Sequence, residues 1–202
     1  MTLLQVMPED APENVLLRTH DHGRIAEALR ACSVSFSRWP LRGTIAPGTS
    51  QEEVLSRYRT EVDELCAREG LQLVDVAQLH PDEGPGWEER AAKARSTFLE
   101  EHRHAEDEVR FFAHGTGCFY LHIDGRVHAV VCEAGDLLSV PAGTRHWFDM
   151  GPRPEFAAIR FFEKEDGWVG DFTGDPIAQH FPRLDALLAP KATTDATTEG
   201  TT

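Results

Sequence analysis

The run Glu101-His102-Arg103-His104-Ala105-Glu106-Asp107-Glu108-Val109-Arg110 decides how this 202-residue chain is read. On a β-strand, side chains alternate with period two, so His102 and His104 project to one face and Arg103 to the other. Two imidazoles then converge on one point, and Glu108 adds a harder oxygen donor. A fourth donor, His146, follows in Gly135-Asp136-Leu137-Leu138-Ser139-Val140-Pro141-Ala142-Gly143-Thr144-Arg145-His146, just past a proline-glycine turn. Three imidazoles and a carboxylate suit Fe(II), Ni(II), Mn(II) or Co(II), whereas a closed structural zinc site more often recruits cysteines at short spacing. A six-coordinate ion held by four side chains keeps two positions for the oxygens of a small chelating molecule. Glu106 and Asp107 stand at the wrong offset to ligate and read as solvated loop acids, with Glu101 or Asp107 in reach of supporting hydrogen bonds. His114, His122 and His128 share only their residue type with the ligands and read as ordinary sheet histidines.

Outward from this run the second half of the chain breaks into short strand-like stretches at Gly117–Ile123, Arg126–Glu133, Leu137–Pro141 and Phe156–Glu163, separated by glycine-bearing turns. Asp124-Gly125 joins two stretches rich in Val, Ile, Phe and Tyr, and that dipeptide favours the positive φ values of a two-residue type I′ hairpin. The first half is mixed. Ile25 and Leu29 give an amphipathic helix over Asp21–Ala31, and Ser33–Pro40 reads as a strand. Ser50 and Glu53 form a capping box for a helix that runs to Gly70, and a third helix is expected from Trp87 to about Leu99. The fold class is therefore α+β, mainly antiparallel β, with the helices in the N-terminal half. Residues 1–188 read as a single domain, and residues 189–202, threonine-rich and nearly without bulky apolar side chains, as a disordered tail.

Composition excludes several functions. Acidic residues number 34 against 20 lysines and arginines, and the net charge of −14 repels nucleic acid and anionic membranes alike. No apolar run approaches a membrane span, and the N-terminus lacks a signal-peptide core, so a soluble cytoplasmic protein is expected. Cys32, Cys66, Cys118 and Cys132 match neither zinc-knuckle spacing nor a disulfide framework and read as reduced thiols.

The two stretches His102-x-His104-x3-Glu108-x6-Gly115 and Gly135-x5-Pro141-x-Gly143-x2-His146 resemble the paired motifs of the cupin superfamily. Ser96, where the first motif usually opens with glycine, and Met150, where the second usually ends with asparagine, depart from that pattern, but neither is a ligand position. The resemblance implies a small double-stranded antiparallel β-barrel, or jelly roll, with His102, His104, Glu108 and His146 as its metal ligands. Within that superfamily, HRHAEDEVRFF at 102–112, GDLLSVPAGTRHWFD at 135–149 and the helical first half resemble the acireductone dioxygenase family, over residues 1 to about 185. That resemblance implies a monomeric enzyme carrying one Fe(II) or Ni(II) per chain and cleaving acireductone, 1,2-dihydroxy-3-keto-5-methylthiopentene, with O2. In the family the iron form yields formate and 4-methylthio-2-oxobutanoate, a precursor in methionine salvage. The nickel form yields formate, carbon monoxide and 3-methylthiopropanoate.

Arg110, two residues beyond Glu108, shares its face of the strand and hence the barrel interior, where a guanidinium needs an anionic partner. The resemblance makes it the catalytic cation beside the substrate enediolate; the plainer alternative is an ion pair with a neighbouring acid. Phe98, Phe148 and Trp168 are expected to wall the substrate pocket, against an ordinary role in core packing, and Arg160 to line the pocket or orient a ligand. The same four ligands also serve other metal cupins, such as sugar-phosphate isomerases, and a non-catalytic small-molecule-binding cupin is the third possibility.

Overall fold

A computed structural model describes residues 1–81, 84–167 and 169–190. In chain order the elements are β1 (Leu3–Pro8), β2 (Leu17–Thr19), α1 (His22–Arg30), β3 (Ser35–Arg38), α2 (Gln51–Arg57), α3 (Arg59–Glu69), β4 (Leu73–Leu79) and α4 (Trp87–Ser96). They continue with β5 (His102–Arg103), β6 (Glu108–Ile123), β7 (Arg126–Glu133), β8 (Asp136–Val140), β9 (Arg145–Asp149), β10 (Phe156–Phe162) and β11 (Asp171–Phe172). A 3-10 turn at Pro176–Gln179 and α5 (Leu184–Leu188) follow. Among the described residues, no helix is long and apolar enough to cross a membrane.

The long strand β6 organises the barrel. Its first half pairs with β8 and β10, and its second half with β7 and β9, all antiparallel. One sheet thus runs β4-β10-β6-β8-β3 and the other β11-β5-β9-β6-β7-β1-β2. Phe112, Phe119, Leu121, Val130 and Phe156 fill the space between them. The outer faces are covered too. Val109, Phe111, Ile159 and Phe161 turn outward onto Val54, Tyr58, Val62 and Leu65 of the α2–α3 region, while Leu3, Tyr120 and Trp147 pack against Ile177, Phe181, Leu184 and Leu187 near the C-terminus. A strand buried on both faces has no reason to alternate apolar with polar, which is why β6 reads as an almost unbroken apolar run.

Local expectations hold where short-range chemistry decides. Asp124 and Gly125 have φ of 49° and 71°, the type I′ signature. Asp21 caps α1 by accepting from the Arg24 amide, and Ser50 caps α2 by accepting from the Glu53 amide. The expected helix up to Gly70 is broken at Tyr58, whose φ/ψ of −109°/16° separates α2 from α3. Tertiary packing explains the break: Tyr58 is fully buried edge-on to Phe111, and its hydroxyl accepts from the Arg42 amide. The third helix stops at Ser96, short of Leu99. β1, β4 and β9 were not expected, and the expected strand through His102 and His104 shrinks to two residues, with His104 just beyond its end. Of the expected tail, residues 191–202 lie outside the described residues.

Candidate metal centre

Antiparallel pairing puts His102 of β5 directly opposite His146 of β9. His104 follows one residue after β5, and Glu108 opens β6. The Nδ1–H of His102 donates to the Glu100 carbonyl, that of His104 to the Val169 carbonyl and that of His146 to the Thr144 carbonyl, at 2.8, 2.9 and 2.8 Å. Each carbonyl fixes ring orientation and tautomer, leaving the Nε2 lone pair as the free donor. One ring nitrogen from each histidine lies within 4.8 Å of the others.

Glu108 faces two ways. Its Oε1 is 2.8 Å from the Arg110 guanidinium, and its Oε2 is 2.7 Å from His146 Nε2 and 3.7 Å from His104 Nε2. The Oε2–Nε2 approach lacks hydrogen-bonding angles, so Glu108 Oε2 and His146 Nε2 are buried without a hydrogen-bond partner. Orphaned buried polar atoms aimed at one point are costly unless something satisfies them, and a divalent cation does so. The donor set and its geometry therefore fit a metal ion.

The electrostatics agree with that fit. Burial, reinforced by His146, pushes His102 down to about 4, so it stands neutral and ready to ligate. Burial also lowers His104, against the pull of Glu108. For His146 burial works against the proton, but the adjacent Glu108 carboxylate outweighs it and raises the pKa. Burial opposes the charge on Glu108, yet Arg110, His146 and His104 hold it well below the usual carboxylate range.

These groups occupy the polar end of a cavity of about 330 Å³. Phe98 and Phe148 line it, and Leu79, Phe112, Phe119, Met150 and Phe156 extend the apolar wall. The Phe148 amide donates to the Phe98 carbonyl at 2.8 Å, which ties β9 to the segment after α4 and so holds the two phenylalanines together. Arg110, 8% exposed, reaches the cavity from β6, and its guanidinium stands 5.0 Å over the Phe162 ring. Arg160, its cross-strand neighbour on β10, also lines the cavity, but Asp75 holds its guanidinium at 2.7 and 2.6 Å and so engages it in shaping the wall. Trp168 lies outside the described residues.

Two readings of neighbouring residues are corrected. Glu106 is not a solvated loop acid: it is 7% exposed and accepts from the amides of Glu163 and Lys164. Its burial comes from a chain segment distant in sequence, which spacing could not reveal. His122 is not an ordinary sheet histidine, since its ring nitrogens lie 2.6 Å from Glu101 Oε1 and 2.6 Å from Glu9 Oε2. Glu101, which also accepts from the Thr173 hydroxyl at 2.8 Å, thereby ties the residue before His102 to the β6–β7 hairpin. Asp107 accepts from the Ala142 amide and braces the turn that leads to His146.

A double-stranded antiparallel barrel that gathers three imidazoles and a carboxylate at the polar end of an apolar cavity defines a metal-binding cupin. The comparisons with known proteins narrow the class. The model of the ARD/ARD′ family matches residues 4–170, and the chain belongs to that family. It is 58% identical over 189 residues to "Acireductone dioxygenase 1" of Nocardia farcinica, covering 93% of this chain and 100% of that protein. It is 51% identical over 185 residues to acireductone dioxygenase of Pseudomonas syringae pv. tomato, covering 92% and 98%. Among solved structures, acireductone dioxygenase from Bacillus anthracis, with a cadmium ion in its active centre, superposes with a TM-score of 0.70 at 27% identity, covering 85% of this chain and 98% of that one.

Proposed function

We propose that the protein is an acireductone dioxygenase, cleaving its enediol substrate with O2 at a centre held by His102, His104, Glu108 and His146. The observation that carries this reading is the set of unpartnered donor atoms converging beside the Arg110 cation at the polar end of the cavity. Iron(II) or nickel(II), one per chain, suits the donor set, and the bound ion supplies a Lewis acid for two oxygens of the substrate. Arg110 sets a positive charge beside the enediolate, favouring the anion that must give up electrons to oxygen. Phe98 and Phe148 exclude water, and the apolar wall formed by Leu79, Phe112, Met150 and Phe156 receives the methylthio chain. Arg160 shapes the pocket wall through Asp75.

The iron form is proposed to give formate and 4-methylthio-2-oxobutanoate, for methionine salvage, and the nickel form formate, carbon monoxide and 3-methylthiopropanoate. The reading includes a cytoplasmic monomer in which residues 1–188 form one domain. A sugar-phosphate isomerase is disfavoured, because the cavity-lining cations Arg110 and Arg160 are already paired with Glu108 and Asp75, and a phosphate group would have to compete with those carboxylates. The test is aerobic decay of freshly generated acireductone: metal-loaded protein is expected to accelerate it and apoprotein not to. Equal decay with both would remove acireductone as the substrate.

A further inference from the structure

A second cluster of donors stands at one end of the β4-β10-β6 sheet, separate from the centre just described. Leu79 and Gly115 both pair with Phe156, so His80 follows β4 opposite Glu155, and His114 precedes Gly115 on β6. The β6–β10 register shifts between Ala157 and Ala158, which face His114 and Phe112 and leave Ala113 as the extra residue of a bulge. Bulges bend a strand and re-aim its side chains. Gly115 has φ of +70°, and a Cβ there would lie 1.8 Å from the Glu155 carbonyl oxygen, so only glycine permits this approach. The Thr116 amide donates to that same carbonyl at 3.3 Å, fixing the backbone of Glu155 against β6.

The side chains meet as the backbone suggests. His114 Nε2 is 3.3 Å from Glu155 Oε1, the two imidazole centroids are 5.5 Å apart, and one donor atom from each of the three residues lies within 4.8 Å of the others. Both ring nitrogens of His80 are shut off from solvent, and neither has a hydrogen-bond partner. Burial and the neighbouring His114 lower the pKa of His80, keeping it in the neutral form that ligates. A half-buried imidazole whose two ring nitrogens are both shielded from solvent and without a partner, beside a second imidazole and a carboxylate, resembles the condition of the more deeply buried first centre.

We propose that His80, His114 and Glu155 form a second metal site, which takes a divalent transition metal of the zinc, nickel, cobalt or copper class. Two imidazoles and a carboxylate are the donors those ions prefer, and the remaining positions are filled by water. The Glu155 side chain is 56% exposed, and its contact with His114 already holds it beside the two imidazoles. No carbonyl anchors His80 as carbonyls anchor His102, His104 and His146, so this site binds more weakly than the first. Its position gives it a role: Gln78 and Leu79 precede His80, and Phe112 and Phe156 flank the other two donors, all on the wall of the cavity. An ion here ties the end of β4 and the start of β10 to the middle of β6.

The test is equilibrium dialysis of the untagged, full-length protein against Ni(II) alone, with bound metal counted per chain. The wild type is expected to bind one tight and one weaker equivalent. The double variant His80→Ala/His114→Ala keeps the tight equivalent and its activity but loses the weaker one. The single variants His80→Gln and His114→Gln, milder in packing, each weaken the second equivalent at least tenfold. Saturation of the wild type at a single equivalent overturns the proposal, as does a second equivalent that survives unchanged in the double variant or in both single variants.

Discussion

Glu108 holds Arg110 with one carboxylate oxygen and turns the other toward the histidines, so one side chain links the Arg110 cation to the imidazole cluster. The proposed catalytic role of Arg110 separates from its structural one in the Arg110→Ala variant. Metal content is expected to stay at one tight equivalent while kcat/KM falls by about 10²–10³-fold, the usual loss on removing one group that stabilises developing charge. An unchanged kcat/KM would reduce Arg110 to an ion-pair partner. Protons provide a second check. Burial disfavours the proton on His146, but the adjacent Glu108 carboxylate outweighs burial and raises the pKa, so in the metal-free centre this imidazole holds a proton more tightly than a free one, and an entering ion competes with it. Metal affinity should therefore climb as pH rises through the imidazole range, with proton release seen by calorimetry in buffers of differing ionisation enthalpy. His102, lowered to about 4, adds nothing to that slope near neutrality. Affinity that does not change between about pH 6 and about pH 8 would contradict this. The spacing of the four donors marked them in the sequence, but the alternating strand expected behind His102 and His104 ends at Arg103, and the turn that follows places His104. The ion pair of Arg110, the plainer alternative for that residue, follows from alternation along β6, which sets Glu108 and Arg110 on one face. The environments of Glu106 and His122 were not legible, since their partners lie far along the chain at positions no local pattern marks.

At the scale of elements, Asp149 at the end of β9 holds the helices to the barrel. It is 0% exposed, pairs with Arg95 of α4 at 2.7 and 3.0 Å, and accepts from the amides of Gly151 and of Leu184 at the start of α5. Removing one partner of a buried pair leaves the other charge uncompensated, and Asp149→Ala is expected to destabilise by about 3–5 kcal/mol in urea unfolding. The pH dependence follows from the same contacts. Burial opposes the Asp149 charge, but the hydrogen bonds from Arg95, Leu184 and Gly151 outweigh it and lower the pKa below 3.8. A depressed carboxylate contributes stability above its unfolded pKa and loses it as pH falls through the folded value. The wild type should therefore lose stability more steeply than Asp149→Asn as pH drops below about 4, and parallel curves would count against the linkage. Helix caps and the Asp124-Gly125 turn were readable because they are short-range chemistry. β1 and β4 were not: Leu3 to Met7 are buried on both sides, so they show no alternation, and β4 owes its existence to β10, far along the chain. Tyr58 shows the converse, a strong helical pattern interrupted because its ring serves the core.

Over the whole molecule, the proposed ligands come from β5, from the turn after it, from β6 and from β9, so a bound ion joins both sheets of the barrel. Binding to the folded state alone adds about 2.7 kcal/mol when free metal stands at 100 times its Kd. Metal loading should accordingly raise the Tm of the wild type, and chelation should reverse the rise. His104→Ala should respond far less; an equal rise in both proteins would place the stabilising ion elsewhere. The general character of the fold was legible from the glycine-punctuated strands of the second half, whereas the closure of the barrel through one long β6 emerges only from pairing. The most direct test of the central claim is product analysis after aerobic reaction of acireductone with Fe(II)-loaded, Ni(II)-loaded and Glu108→Ala protein. The account predicts formate with 4-methylthio-2-oxobutanoate from the iron form, formate with carbon monoxide from the nickel form, and neither set above background from the variant. Product yields that do not depend on the metal, or that persist in Glu108→Ala, would contradict it.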